Sequence, residues 1–249
     1  MASRAPQITI REQERNLVRY LYEYKVAHTK QINRDIYPGI THQALYKRLN
    51  LLSRARLIRS GFHRELHGRL IYSLADQGFR MLSDASGIPK LRREWLSASP
   101  LHDLDLLEIG ERLKRLKAVI QYWPENHLKG GLISELDPEV RELALLRPDA
   151  ALKVRSGPDT VTVPLEYDRS LKFAPRYDAL FKKYYARENI PGVLFIGKSE
   201  DLIRRIKTLE KGYRKDKPGK FFYSVLQGST APRETFIFTN LQNESLILS

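Results

Sequence analysis

Residues 29–74 constrain the fold of this chain more than any other segment. Tyr37-Pro38-Gly39 breaks the chain into two short segments, 29–37 and 41–52, whose apolar residues recur at three- and four-residue spacing. Two apolar segments joined by a polar loop follow, as expected for a β-hairpin. Residues 29–74 therefore predict two helices, a tight turn between them and a hairpin after them.

The side chains of the two helices have different expected roles. Thr29 and Thr41 are predicted to cap them, because a threonine oxygen accepts a backbone N–H at a helix start. Four residues of the second helix are expected to face the core, namely Ala44, Leu45, Leu49 and Leu52. Polar residues near its start fall on other faces, namely His42, Gln43, Tyr46 and Lys47.

Leu57–Ser60 and Leu70–Leu74 are the predicted hairpin strands, and their loop carries Arg64 and Arg69. With a preceding helix over Ile10–Tyr24, this order predicts a winged helix-turn-helix, whose second helix enters the major groove of duplex DNA. The hairpin arginines would contact phosphates. The predicted DNA-binding residues are His42, Gln43, Tyr46, Lys47, Arg64 and Arg69. An ordinary solvated surface or a protein-binding surface is the alternative.

The charge distribution favours an anionic partner. The 249 residues carry a net charge of +14, and residues 1–99 account for +10 of it, with 18 Lys or Arg against 8 Asp or Glu. The absence of cysteine excludes disulfides, thiolate zinc sites and a cysteine nucleophile. No apolar signal-peptide core and no run of about 18 apolar residues occurs, so a cytoplasmic protein without a membrane partner is expected.

The chain is predicted to have an α+β fold in two domains. Residues 8–83 form the winged helix-turn-helix, residues 84–98 a Ser-, Gly- and Pro-containing linker, and residues 99–249 a mixed α/β sheet domain. In the second domain, Ala150–Val154 and Thr160–Tyr167 are predicted to pair as a hairpin. Phe221–Leu226 and Thr235–Phe238 are predicted edge strands.

Asp149 and Glu166 flank this hairpin and are expected to meet at one end of the sheet. Two close carboxylates can hold Mg²⁺, which prefers oxygen ligands. Such a metal can activate water and neutralise charge on a phosphate under attack. Asp168 and Asp103 are further candidate ligands. A purely structural alternative is that Glu166 pairs with Arg169 or Arg176.

Several short motifs occur in a specific order between residues 99 and 170. They are Ser99-Pro100-Leu101-His102-Asp103, Tyr122-Trp123-Pro124-Glu125, Arg147-Pro148-Asp149-Ala150 and Leu165-Glu166-Tyr167-Asp168-Arg169-Ser170. Pro148-Asp149 followed by Glu166-Tyr167-Asp168 resembles the PD-(D/E)xK nuclease fold. The whole arrangement resembles the replication–relaxation family of plasmid and mobile-element proteins, which combine an N-terminal winged helix with a degenerate nuclease-like domain.

The sequence departs from the nuclease pattern at Asp168, where that pattern has a lysine. An aspartate cannot stabilise the attacking water or the developing phosphate charge as a lysine does. Lys172, Lys182 or Lys183 on the following helix can replace it, and an active site would then use Asp149, Glu166 and Lys182. The other possibility is a catalytically inactive scaffold.

The resemblance and the residues together predict a sequence-specific duplex-DNA-binding accessory factor for replication, relaxation or transfer of a mobile element. DNA binding would require no cofactor, whereas cleavage would require Mg²⁺. A relaxase or replication proteins are the expected protein partners, and a homodimer is possible on a two-fold symmetric site. An Mg²⁺-dependent endonuclease and a transcriptional regulator with a C-terminal dimerisation or ligand-binding domain are the alternatives.

Overall fold

A computed structural model describes residues 9–66, 68–86, 97, 99–129, 137–215, 217–226 and 235–249. It has a mixed α+β fold. The described residues divide into two compact units, unit 1 up to Leu107 and unit 2 from Glu108 onward. The predicted linker, residues 84–98, lies mostly outside the described residues. No described helix is both long and apolar enough to span a membrane.

Unit 1 combines helices with a small antiparallel sheet. Its elements are α1 (Glu12–Tyr24), β1 (Ala27–His28), α2 (Thr29–Asp35), α3 (His42–Arg54), β2 (Ile58–Phe62), a 3₁₀ turn (Arg64–Leu66), β3 (Leu70–Leu74), α4 (Asp76–Ser86) and the first part of α5 (Pro100–Leu113). The sheet order is β1-β3-β2. The core lies between the helices and the sheet and contains Leu17, Leu21, Ile32, Leu45, Leu49 and Tyr72.

Two local predictions for unit 1 were wrong. The N-cap of α2 is His28, not Thr29, because the Nδ1 atom of His28 accepts the backbone N–H of Gln31 at 3.2 Å. Thr29 is instead the first helical residue. Ala44 is exposed, whereas Leu45, Leu49 and Leu52 are buried as predicted. The small alanine side chain gains little from burial, so the position of Ala44 in the apolar pattern only weakly predicted that it faces the core.

Unit 2 contains a mixed sheet with helices. Its elements are the end of α5, β4 (Val119–Pro124), α6 (Glu125–Lys129), α7 (Pro138–Leu145), β5 (Ala150–Ser156), β6 (Asp159–Asp168), α8 (Ala174–Tyr185), β7 (Val193–Gly197), α9 (Glu200–Arg214), β8 (Phe221–Val225), β9 (Phe236–Thr239) and β10 (Ser245–Leu248). The described strands form a seven-stranded sheet in the order β10-β9-β8-β7-β6-β5-β4.

Strand direction changes across this sheet. The pairs β6–β7 and β7–β8 are parallel, and the other described pairs are antiparallel. The sheet curls, and the N–H of Ala118 beside β4 donates to the carbonyl of Ser249 beside β10 at 3.0 Å. The prediction that residues 221–226 and 235–238 are edge strands was wrong, because β8 and β9 both have neighbours on each side.

The helices α8 and α9 contribute to an aromatic core on unit 2. Phe181 and Tyr184 of α8 meet Phe221 of β8 edge to face, with ring centroids 5.2 and 5.7 Å apart. Glu210 of α9 is fully buried and accepts hydrogen bonds from the hydroxyls of Tyr185 and Tyr223. These paired donors compensate for the burial of the carboxylate and fix α9 against the strands.

Candidate functional site

The first half of α3 presents polar side chains away from the core of unit 1. Thr41 caps the helix, its Oγ1 atom accepting the N–H of Ala44 at 3.3 Å. The next turns expose His42, Gln43 and Lys47 and leave Tyr46 half-buried. These four residues, called the α3 face below, lie opposite the leucines that anchor the helix.

An ion pair between a buried glutamate and a partly buried arginine holds α3 to α1. The Nε atom of Arg48 on α3 lies 2.7 Å from Oε1 of Glu14 on α1, and the Glu14 side chain is only 2% exposed. The hydroxyl of Tyr37 donates to the same oxygen at 3.1 Å. Burial by itself raises the pKa of Glu14, but hydrogen bonds from Arg48 and from the Arg11 N–H outweigh it and lower the pKa below its ordinary value. Glu14 therefore stays ionised and fixes the orientation of α3.

The hairpin borders the same side of unit 1 as the start of α3. Arg64 and Arg69 are exposed. Phe62, at the end of β2, is 75% exposed. Tyr46 and His42 form a tilted ring pair with centroids 4.9 Å apart. Cationic and aromatic side chains therefore occupy one continuous surface, since residues of α3 and of the hairpin line a common cleft.

The predicted acidic residues of unit 2 meet at one end of the sheet, and Asp149, Glu166 and Asp168 are called the acidic site below. Ala150 on β5 pairs with Leu165 on β6, which places Asp149 and Glu166 at facing positions. The Oδ2 atom of Asp149 accepts the N–H of Tyr167 at 2.8 Å. Because side chains alternate along β6, Glu166 and Asp168 project from the same face.

Glu166 is paired with α8. Its Oε1 atom accepts from Lys183 Nζ at 2.8 Å and from the Tyr184 hydroxyl at 2.6 Å. Lys183 also donates to the carbonyl of Leu146 at 3.0 Å. Burial and then the charge of Glu166 raise the pKa of Tyr184 far above its ordinary value, so its hydroxyl remains a donor. The predicted site lysine, Lys182, is exposed. Lys183 instead lies beside Glu166.

Asp168 is buried with incomplete hydrogen bonding. Its carboxylate is 4% exposed, and its Oδ2 atom accepts from the Tyr177 hydroxyl at 3.1 Å. The Oδ1 atom has no hydrogen-bond donor among the described residues. Burial raises the pKa of Asp168, although the charges of Arg176 and Lys172 and the bond from Tyr177 oppose the change. Asp168 is therefore an acid for which ionisation is unfavourable.

The fourth predicted metal ligand, Asp103, belongs to unit 1. Its Oδ1 atom lies 3.6 Å from Lys25 Nζ and 3.5 Å from His102 Nδ1. Within the described parts of the chain, no group of three or more Asp, Glu or His residues is arranged to hold a metal ion. With Glu166 already paired to Lys183 and Tyr184, these acids do not fit a preformed Mg²⁺ site.

Tyr184 and Phe62, which the structure places at these surfaces, were not predicted as site residues, and Lys183 was predicted only as an alternative to Lys182. A signal existed for Lys183, because it follows Leu180 by three positions and so flanks the apolar stripe of α8. Lys182 lies further from this apolar stripe around the helix axis. No comparable signal existed for Phe62, which was predicted to lie in the hairpin loop, whereas β2 extends through it.

No protein-family model, curated protein or solved structure matches this chain. Its function must therefore be inferred from its own residues and contacts.

Proposed function

We propose that this chain is a sequence-specific duplex-DNA-binding protein of a mobile element, and that unit 1 is a winged helix-turn-helix. Two features support the proposal. The elements α1, β1, α2, α3, β2 and β3 follow one another in the order expected of that module, and β1, β3 and β2 form an antiparallel sheet. In such modules the second helix of the helix-turn-helix, here α3, enters the major groove.

The α3 face is the observation that carries this proposal. Gln43 and Lys47 are exposed on a helix whose orientation is fixed by the Arg48–Glu14 ion pair. Side chains of these types can hydrogen-bond base edges, and a rigid helix reduces the entropy lost on binding. Arg64 and Arg69 on the hairpin would contact phosphates, contributing affinity without sequence preference.

Unit 2 is proposed to be a nuclease-like scaffold that does not cleave DNA. The pairing of Glu166 with Lys183 and Tyr184, together with Asp168 in place of a lysine, supports a structural role for its acids. Acting in the cytoplasm, the protein would assist replication, relaxation or transfer, with a relaxase or replication proteins as partners. It would bind a symmetric site as a homodimer.

The primary test is fluorescence anisotropy with labelled duplex DNA at low salt, on sites enriched from native genomic fragments. We expect Lys47→Ala to weaken binding several-fold and to reduce its dependence on salt, because a phosphate or base contact is lost. The matched control is Lys211→Ala, which removes an exposed lysine from α9 of unit 2. Absence of duplex affinity in 50 mM salt would refute the proposal.

The identity of the enriched fragments separates two biological roles. A replication or transfer origin is the result expected for an accessory factor. Enrichment of the promoter of the protein's own gene would instead indicate a transcriptional regulator. At the enriched site, Gln43→Ala should relax discrimination at one base pair, a change worth about 1–3 kcal/mol for a good bidentate contact.

An Mg²⁺-dependent endonuclease is the second candidate function, and one observation favours it. Lys183 Nζ lies 2.8 Å from Glu166, so a lysine from α8 stands beside the strand acid. Supercoiled plasmid incubated with Mg²⁺ or Mn²⁺ tests this candidate. Nicking that is lost in Asp149→Ala and in Lys183→Ala, but not in Lys182→Ala, would establish it. Plasmid that stays intact with every metal would eliminate it.

A further inference from the structure

A cleft of about 420 Å³ opens on unit 1 between the start of α2, the start of α3 and the hairpin. Its volume falls in the range of roughly 300–1,000 Å³ that is typical of small-ligand sites. The residues that give it chemical character are His28, Lys30, His42, Tyr46, Phe62 and Arg69. All of them belong to elements whose backbones are held by helix or sheet hydrogen bonds, except Arg69, which directly precedes β3.

Phe62 is the most unusual of these residues. Its side chain is 75% exposed, although its backbone is fixed in the hairpin by pairing with Leu70. An exposed phenylalanine contributes little to folding, because most of its apolar surface remains in water. Its ring lines the same cleft as the rings of His42 and Tyr46, which lie 4.9 Å apart. The cleft therefore presents several aromatic rings to solvent.

Positive charge accompanies these rings. Lys30 lies on α2 and Arg69 on the hairpin, so cations line the cleft from two directions. Aromatic faces that stack on bases, together with cations that neutralise the backbone, are the two components of a site for single-stranded nucleic acid. A base within an intact duplex cannot use such a site, because its faces are covered by its neighbours in the stack.

We propose that this cleft binds an unpaired nucleotide, with its base against Phe62, His42 and Tyr46 and its phosphate near Lys30 or Arg69. This inference rests on the proposed function and deepens it, because the protein would then recognise DNA that is locally melted or distorted. An apolar peptide would satisfy the rings and leave the two cations unused, so charge complementarity favours the nucleotide.

The test compares two fluorescent DNAs that share one sequence, a continuous duplex and the same duplex with a two-nucleotide bulge. One bulged base is 2-aminopurine, whose fluorescence reports stacking. We expect the wild-type protein to bind the bulged DNA about tenfold more tightly than the duplex and to change the 2-aminopurine signal, since a stacked base contributes about 1.4 kcal/mol.

Phe62→Ala should abolish that preference and the 2-aminopurine change while leaving continuous-duplex affinity within about twofold. Phe173→Ala is the matched control, because Phe173 is 79% exposed but lies in unit 2. It should behave as the wild-type protein does. The conservative variant Phe62→Trp keeps a large aromatic ring and should retain the preference for bulged DNA.

The outcomes separate this inference from the proposed function. Equal affinity for the two DNAs, or an unchanged 2-aminopurine signal, overturns the nucleotide site while duplex binding stands. Binding of neither DNA at low salt refutes the proposed function as well. A preference that survives in Phe62→Ala also overturns the inference, because the bulge would then be recognised elsewhere.

Discussion

The α3 face and the acidic site both carry charged side chains, but they use them in opposite ways. On the α3 face, Lys47 extends into solvent from a helix that is anchored by other residues. In the acidic site, Glu166 is bonded to Lys183 and Tyr184, and Asp168 is buried. Exposed charge is available to a large partner, whereas paired charge must first be released. This difference is why binding is a better-supported function than cleavage.

The largest expected effect tests how the α3 face is anchored. Glu14→Ala should lower the free energy of unfolding of unit 1 by about 3 kcal/mol, because Arg48 would keep a partly buried charge without its acid. Hydrogen-exchange mass spectrometry of α1 and α3 measures this change separately from unit 2. Glu12→Ala, an exposed acid in the same helix, is the control. Equal exchange in the two variants would show that the ion pair does not anchor α3.

Acidification should act on the same ion pair. The pKa of Glu14 is lowered in the folded protein. Glu14 therefore contributes stability above its ordinary pKa of 4.5, and this contribution is lost as the pH falls through its folded pKa. The difference in thermal midpoint between wild type and Glu14→Gln should therefore shrink as the pH drops below that value. A difference that stays constant between pH 7 and pH 3 would contradict this assignment.

An intermediate effect tests the pairing of the acidic site. Lys183→Met should destabilise unit 2 by about 2 kcal/mol, because Glu166 loses a charged hydrogen-bond donor while remaining 13% exposed. Lys182→Met, which changes an exposed lysine of the same helix, should have little effect. Calorimetric unfolding measures both. If the two variants unfold alike, the Lys183–Glu166 contact does not stabilise the site.

The smallest expected effect has the opposite sign. Asp168→Asn should stabilise unit 2 slightly at pH 7, since the buried acid has a raised pKa and ionising it is unfavourable. A group of this kind stabilises the folded protein below its ordinary pKa of 3.8, and this contribution is lost as the pH rises through its folded pKa. The gain should therefore vanish near pH 3. Asp159→Asn, at the start of β6, is an exposed control.

Sequence-based prediction succeeded where the determining interactions are local. The Thr41 cap and the buried leucines of α3 follow from residues within a few positions of one another, and both are present. The β5–β6 hairpin was also predicted, because its turn and its alternating strands are adjacent in the chain. Such features depend on spacing that a single sequence displays.

Prediction failed where position depends on distant partners. The interior location of β8 and β9 follows from their neighbours in the sheet, including β10, which the sequence did not indicate. His28 replaced Thr29 as the cap of α2, although histidine is not among the side chains preferred there. The choice of Lys183 over Lys182 depends on how α8 is rotated against β6. These features are set by tertiary packing rather than by local propensity.

The Arg48–Glu14 ion pair also limits how much of the formal charge of unit 1 is available to DNA. A guanidinium that is already paired with a buried carboxylate of the protein displaces few condensed cations from a phosphate backbone. If Lys30, Lys47, Arg64 and Arg69 are the residues that contact phosphates, the logarithm of the binding constant should fall with the logarithm of salt concentration with a slope of about −3.6. The net +10 of residues 1–99 would imply a far steeper dependence. Counting the cations in the sequence thus overstates how strongly the DNA affinity of this protein depends on salt concentration.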